Sequence, residues 1–250
     1  MLMSAMAFMS VTSANRIRVS ARPTRLEMRD PPTRPYTSSS IFYLVSRISA
    51  SAPDRDSAAL CFLTMDQLIV LWLARHGETT YSASKRVAGW SDPPLTDNGR
   101  RQAAALRPVI DGQQFTGVWS SDLERAVESA RLAWGEPTTD SRLRECNFGA
   151  LEGCTYEEAD STHSEVFHVF RDFQAPDGES HEQFRSRVLE FVRELEPGRH
   201  LLFVHGGVIR ALSQDLGVDR FIPTGSLLGL DWGKKEVLFE REPGNTRGAE

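Results

Sequence analysis

The sequence predicts a three-layer α/β/α sandwich with a mostly parallel central sheet, and three observations carry that expectation. Leu68 to Ala74 is an uninterrupted apolar run, the pattern of a strand covered on both faces. Strand-like and helix-periodic segments then alternate along the chain. Two histidines, His76 and His205, follow two of those strands directly, at the carboxyl ends where an α/β sheet opens its ligand crevice.

The elements follow in order. After the first strand and a long irregular stretch, Thr96 is placed to cap a helix carrying Ala103, Ala104, Leu106 and Ile110. Phe115 to Trp119 reads as a second strand, and Ser120 or Ser121 can cap the helix bearing Leu123, Ala126, Val127 and Ala130. Thr155 to Ala159 is weakly helical. Phe184, Val188, Phe191, Val192 and Leu195 recur with a helical period from Ser180 to Glu196, and Pro197-Gly198 ends that helix. His200 to Val204 is a third strand running into Gly206-Gly207 and a helix through Val208, Ile209, Ala211 and Leu212. Leu227 to Trp232 and Glu236 to Phe239 form an edge hairpin around Gly233-Lys234-Lys235.

Composition bounds the function. With 40% hydrophobic and 25% charged residues, the 250-residue chain can bury a core, which excludes a wholly disordered or collagen-like protein. A net charge of -5 argues against a nucleic-acid polymer as partner while leaving room for a local anion site. No segment reads as a membrane span. Cys61, Cys146 and Cys154 make neither a disulfide framework nor a paired metal knuckle, so a reducing, cytoplasmic setting is expected.

Charge also divides the chain. Residues 1–64 hold eight Arg against four acidic residues, whereas residues 65–250 hold 21 basic against 30 acidic. The first segment is rich in Ser, Arg and Pro and lacks sustained periodicity. It is read as a disordered or non-native extension, with organelle targeting as the alternative. Residues 65–240 are expected to form the domain and 241–250 a flexible tail.

The residues suited to chemistry cluster at strand ends. Arg75-His76-Gly77 combines a guanidinium donor fork, an imidazole and a close-approach glycine, a suitable anion site. His205-Gly206-Gly207 repeats the arrangement where a helix begins, so free N–H groups would face the same anion. Two His without Asp or Cys at ligand spacing fit phosphoryl transfer better than zinc. Arg125 can reach the crevice or lie solvated on its helix beside Glu124 or Glu128. Glu145 can serve as a general acid or simply be exposed.

Five ordered segments resemble the histidine phosphatase superfamily, the clan that includes cofactor-dependent phosphoglycerate mutases. They are Arg75 to Thr79, Gly89 to Gly99, Ser121 to Ala126, Leu143 to Glu145 with Gly149 and Glu152-Gly153, and His205 to Gly207. The resemblance implies His76 as the phosphorylated nucleophile. Arg75, Arg125, His205 and Gly206 would hold the phosphoryl group, and Glu145 would protonate the leaving alcohol. It implies no metal or other cofactor. Where many members carry Trp-Asn, this chain has Tyr81-Ser82, so Ser82 is only a candidate phosphate contact, and Arg86 a candidate substrate contact.

A phosphomonoester hydrolase acting on a small-molecule phosphate ester is expected, because only 59 positions separate Glu145 from His205. That leaves a short lid around Ser161 to Glu179, where Phe167, Phe170 and Phe173, with His163 and His168, are either lid or core residues. Phosphoglycerate mutase and a non-catalytic phospho-ligand binder are the alternatives. An edge strand at Glu236 to Phe239 permits a homodimer without requiring one.

Overall fold

The computed structural model describes residues 69–167 and 170–243. The 1–64 extension, Met65, Leu68, His168 and the tail beyond 243 lie outside the described residues, as does the side chain of Phe167.

A six-stranded sheet in the order β3-β2-β4-β1-β5-β6 forms the middle layer. Its strands are β1 (Ile69–Arg75), β2 (Gly117–Ser120), β3 (Thr138–Thr139), β4 (Gly198–Val204), β5 (Leu227–Asp231) and β6 (Glu236–Arg241). The first four are mutually parallel, and β5 and β6 add an antiparallel hairpin beside β1. The strand β5 is buried throughout while β6 alternates, as a covered and an edge position require. The two-residue β3 has no sequence signature and exists through its pairing with Trp119 and Ser120.

Alternation along the strands divides the core between two faces. Ile69, Leu71, Leu73, Leu202 and Val204 pack with Phe184, Val188, Val208 and Leu212 on one side. Trp72, Ala74, Leu201 and Phe203 pack with Leu106, Ile110, Ala130 and Ala133 on the other. Helices α6 (His181–Arg193) and α7 (Gly206–Asp215) supply the first cover, and α3 (Arg107–Ile110) and α4 (Glu124–Ala133) the second, with α2 (Asp97–Ala104) packed on α4.

Three local outcomes differ from the sequence expectations. The pattern from Thr96 to Ile110 is two helices, because Pro108 lacks an N–H and starts a new turn instead of continuing the old one. Thr79 and Ser82 form a capping box around an extra turn, α1 (Thr80–Ala83), inside the stretch expected to be irregular. The weakly helical segment is a longer helix, α5 (Tyr156–Phe167).

The cap of α4 is also a correction. Neither Ser120 nor Ser121 caps it; Leu123 occupies the N-cap without a side-chain bond. Asp92, some thirty residues upstream, accepts the N–H groups of Glu124 and Arg125 and pairs with the Arg125 guanidinium at 3.1 Å. A carboxylate at a helix N-terminus offsets both the orphan donors and the dipole. Asp92 is itself exposed, so Asp92→Ala should cost about 1–2 kcal/mol, the range for losing a helix cap. Asp92→Asn keeps an acceptor oxygen and should cost less. Urea unfolding of both variants measures the difference.

Candidate functional site

Sheet register sets the site. Arg75 on β1 pairs with Val204 on β4, so His76 and His205 leave adjacent parallel strands at the same height. Their ring centroids are 5.1 Å apart. Ser120 pairs with Phe203 at the next strand over, and the chain beyond it turns into α4 and delivers Arg125. The loop before β5 closes the fourth side: Ser226 accepts the Arg75 N–H, and Gly225 donates to the carbonyls of Arg75 and His76.

Glycines decide how closely these segments approach. A Cβ on Gly77 would lie 2.1 Å from the Gly99 carbonyl oxygen, and one on Gly99 would lie 2.0 Å from the Glu78 oxygen. The turn after β1 and the first turn of α2 interlock only because neither carries a side chain.

His76 is 6% exposed, and its Nδ1 lies 2.8 Å from the Gly77 carbonyl. An oxygen there can only accept, so Nδ1 carries the proton and Nε2 keeps its lone pair. Burial, then the Arg125 and Arg75 charges, push this imidazole well below its ordinary range, against the pull of the Gly77 carbonyl. His205 is completely buried; burial, Arg125, His76, Arg187 and Arg75, in that order, push it down likewise.

Arg125 is 1% exposed and donates to the carbonyls of Gly89 at 2.7 Å and Ser91 at 2.8 Å as well as to Asp92. It is therefore not the solvated helical arginine; Glu124 and Glu128 pair instead with Arg131 and Arg100. Arg75 donates to the Ile222 carbonyl. The Nε atoms of both arginines and both ring nitrogens of His205 are buried without a hydrogen-bond partner.

Glu145 is seated against the start of α7. Its Oε2 accepts the Gly207 N–H at 3.0 Å and its Oε1 accepts the Cys146 N–H at 2.8 Å. A Cβ at position 207 would fall 2.1 Å from Oε1, so the second glycine of the pair makes room for the carboxylate.

Two expected contacts do not join this cluster. The Ser82 hydroxyl accepts the Thr79 N–H at 2.9 Å and donates to the Thr79 carbonyl, a capping duty. Arg86 is exposed and donates to the Gly153 carbonyl at 2.6 Å. Phe170 and Phe173, candidates for a lid, are 3% and 4% exposed and belong to the core.

Other residues matter that sequence reading missed. Arg187 on α6 donates to the carbonyls of Arg142, Arg144 and Glu145, each at 2.8 Å, and forks onto Glu179 at 2.7 and 2.8 Å. It fixes the backbone that carries Glu145. Glu152 accepts from Trp90 N, Ser91 N and the Ser91 hydroxyl, holding the loop whose carbonyls face Arg125. Arg187 shows no local signal, since its carbonyl partners lie more than forty positions upstream. Glu152-Gly153 belongs to one of the motif segments, but nothing nearby specifies its task. Among the described residues, no group of three or more His, Cys, Asp or Glu is arranged to hold a metal, and no helix is long and apolar enough to cross a membrane.

Residues 71–226 match the family model of the histidine phosphatase superfamily (branch 1). The chain is 34% identical over 155 residues to Phosphoglycerate mutase-like protein 4 of Arabidopsis thaliana, covering 56% of this chain and 67% of that one. It is 34% identical over 148 residues to Fructose-2,6-bisphosphatase TIGAR B of Danio rerio, covering 56% of this chain and 57% of that protein. Among solved structures it resembles a phosphoglycerate mutase from Thermus thermophilus, at 41% identity and a TM-score of 0.64, over 69% of this chain and 98% of that one.

The lowered imidazoles link protonation to stability. As pH falls through about 6.5 the unfolded chain takes up protons at these positions while the folded chain does not, so stability is full above that pH and declines below it. The urea midpoint should fall between about pH 7 and 5. His205→Asn should flatten that slope, leaving a residual part from His76 and from His181 and His200, whose ionisation burial also depresses.

Proposed function

This chain belongs to the histidine phosphatase superfamily and is a histidine-type phosphatase, and from that premise we propose that it hydrolyses small phosphate monoesters through a phosphohistidine on His76. The observation that carries the reading is the set of four unpartnered nitrogens, from Arg75, Arg125 and His205, gathered around a neutral His76 whose Nε2 lone pair is free for attack. Buried polar atoms without partners call for a ligand. The two guanidinium Nε–H groups and the single N–H of a neutral His205 suit phosphoryl oxygens.

In the first step, Nε2 of His76 bonds to phosphorus while the bond from phosphorus to the alcohol oxygen breaks. Arg75, Arg125 and His205 stabilise the charge on the three equatorial oxygens, with backbone N–H groups at Gly206 assisting at the head of α7. Glu145 gives its proton to the departing oxygen. In the second, Glu145 accepts a proton from water as that water attacks phosphorus, and the nitrogen–phosphorus bond breaks to restore His76. Arg187 acts as a positioning residue for Glu145.

A mutase reading is favoured by the likeness to the Thermus phosphoglycerate mutase and to Phosphoglycerate mutase-like protein 4. Against it stands the brevity of the segment between Glu145 and His205, whose Phe170 and Phe173 are consumed by the core. Retaining a phosphohistidine requires exclusion of water.

Acid-labile labelling by a phosphate ester should be present in the native protein and absent in folded His76→Ala. Glu145→Gln should lower turnover of alkyl phosphates by roughly 10²–10⁴, and spare an ester with a very good leaving group more than His76→Ala does. Release of inorganic phosphate should exceed isomerisation of 3-phosphoglycerate on the same preparation. Labelling of folded His76→Ala overturns the nucleophile, and dominant isomerisation overturns the hydrolase.

A further inference from the structure

Among the described residues the exposed large apolar side chains are Trp90, Trp134, Tyr156, Phe221 and Leu238. Single exposed apolar residues are ordinary, but a concentration of them beside a polar centre marks a ligand surface. Phe221 and Trp90 touch residues of the site. The Phe221 ring lies 4.7 Å from the Arg75 guanidinium carbon, and a Cβ on Gly206 would come within 3.0 Å of it. The Trp90 indole N–H donates to the Glu145 carbonyl at 2.8 Å.

Phe221 is 63% exposed although its loop is firmly tied. Ile222, next to it, is 1% exposed and its carbonyl accepts from Arg75. Arg210 forks onto Asp219 at 2.9 and 2.7 Å, and Arg220 N donates to the Ser213 hydroxyl. The ring is thus held outward, over the group that would grip the phosphoryl oxygens. Beside Trp90, Arg144 lies over the ring and forks onto Asp122 at 2.7 and 2.6 Å, and Arg86 donates to the Gly153 carbonyl. Rings at the mouth of the site favour an apolar leaving group over a hydrated carboxylate.

We infer that the alcohol half of the substrate carries an aromatic ring that packs on Phe221, with Trp90 on the Glu145 side of the site, in preference to a small acidic metabolite such as phosphoglycerate. The inference rests on the phosphatase reading above and names the substrate class of that site. An aromatic partner contributes about tenfold in affinity through ring contact.

The full chain should be assayed on ethyl, 2-cyclohexylethyl and 2-phenylethyl phosphate, all esters of primary alcohols, and on 3-phosphoglycerate. The native kcat/KM for the phenylethyl ester should exceed that for the ethyl ester by about tenfold, chiefly through KM. That ratio should fall toward one in Phe221→Ala and fall less in Phe221→Leu, which keeps apolar area but loses the aromatic face. If Phe221→Ala does not fold, the Leu variant carries the comparison. Hydrolysis without preference, a ratio unchanged in the folded variants, equal preference for cyclohexylethyl and phenylethyl esters, or a higher kcat/KM for 3-phosphoglycerate each overturns the aromatic assignment while leaving the phosphatase reading intact. Failure of the folded native protein to release phosphate from every ester overturns the phosphatase reading and the inference built on it.

Discussion

The burial of one guanidinium organises the site. Arg125 is almost wholly removed from water, a placement that costs several kcal/mol unless its donors are met. Gly89, Ser91 and Asp92 meet them, so the loop that follows α1 must lie against the first turn of α4. That loop is in turn fixed by Glu152, whose carboxylate gathers the N–H groups of Trp90 and Ser91. Two chain segments remote in sequence are therefore shaped by the requirement that one charge be paired, and the Nε that remains unpartnered belongs to the group proposed to receive the phosphoryl oxygens.

The same burial tunes the imidazoles. Two arginines beside two desolvated histidines make protonation of either ring unfavourable, so the cluster keeps its positive charge on the arginines and an unprotonated nitrogen on His76. Tautomer follows from the Gly77 carbonyl, which ties up Nδ1. An anion arriving at this site would meet fixed cations and neutral rings, an arrangement that fits the proposed attack of His76 on a phosphoryl group.

Glu145 depends on a separate support. Its loop has little regular structure of its own, and Arg187 compensates by binding the carbonyls of Arg142, Arg144 and Glu145 while locked to Glu179. A loop proposed to carry chemistry needs such anchoring from a rigid element, here α6. The short interval before His205 is consequently filled by support: Phe170 and Phe173 are packed in the core and Glu179 holds Arg187, which leaves less of it to shield the proposed phosphohistidine.

By itself, the sequence determined the layered α/β class, most helix and strand positions, and the strand-end placement of His76 and His205. These are consequences of local apolar period and of turn residues that act within a few positions. The motif glycines were legible as well, although their reasons, Gly77 against Gly99 and Gly207 against Glu145, are contacts between segments. Tertiary structure alone decided that Arg125 is buried instead of solvated, that Asp92 and not a nearby serine caps α4, that the Ser82 hydroxyl turns back to Thr79, and that Arg187 holds the Glu145 loop. Secondary structure responds to neighbours along the chain, whereas the state of a charge or hydroxyl is set by whichever donors and acceptors packing brings within about 3 Å, and those come from anywhere in the sequence.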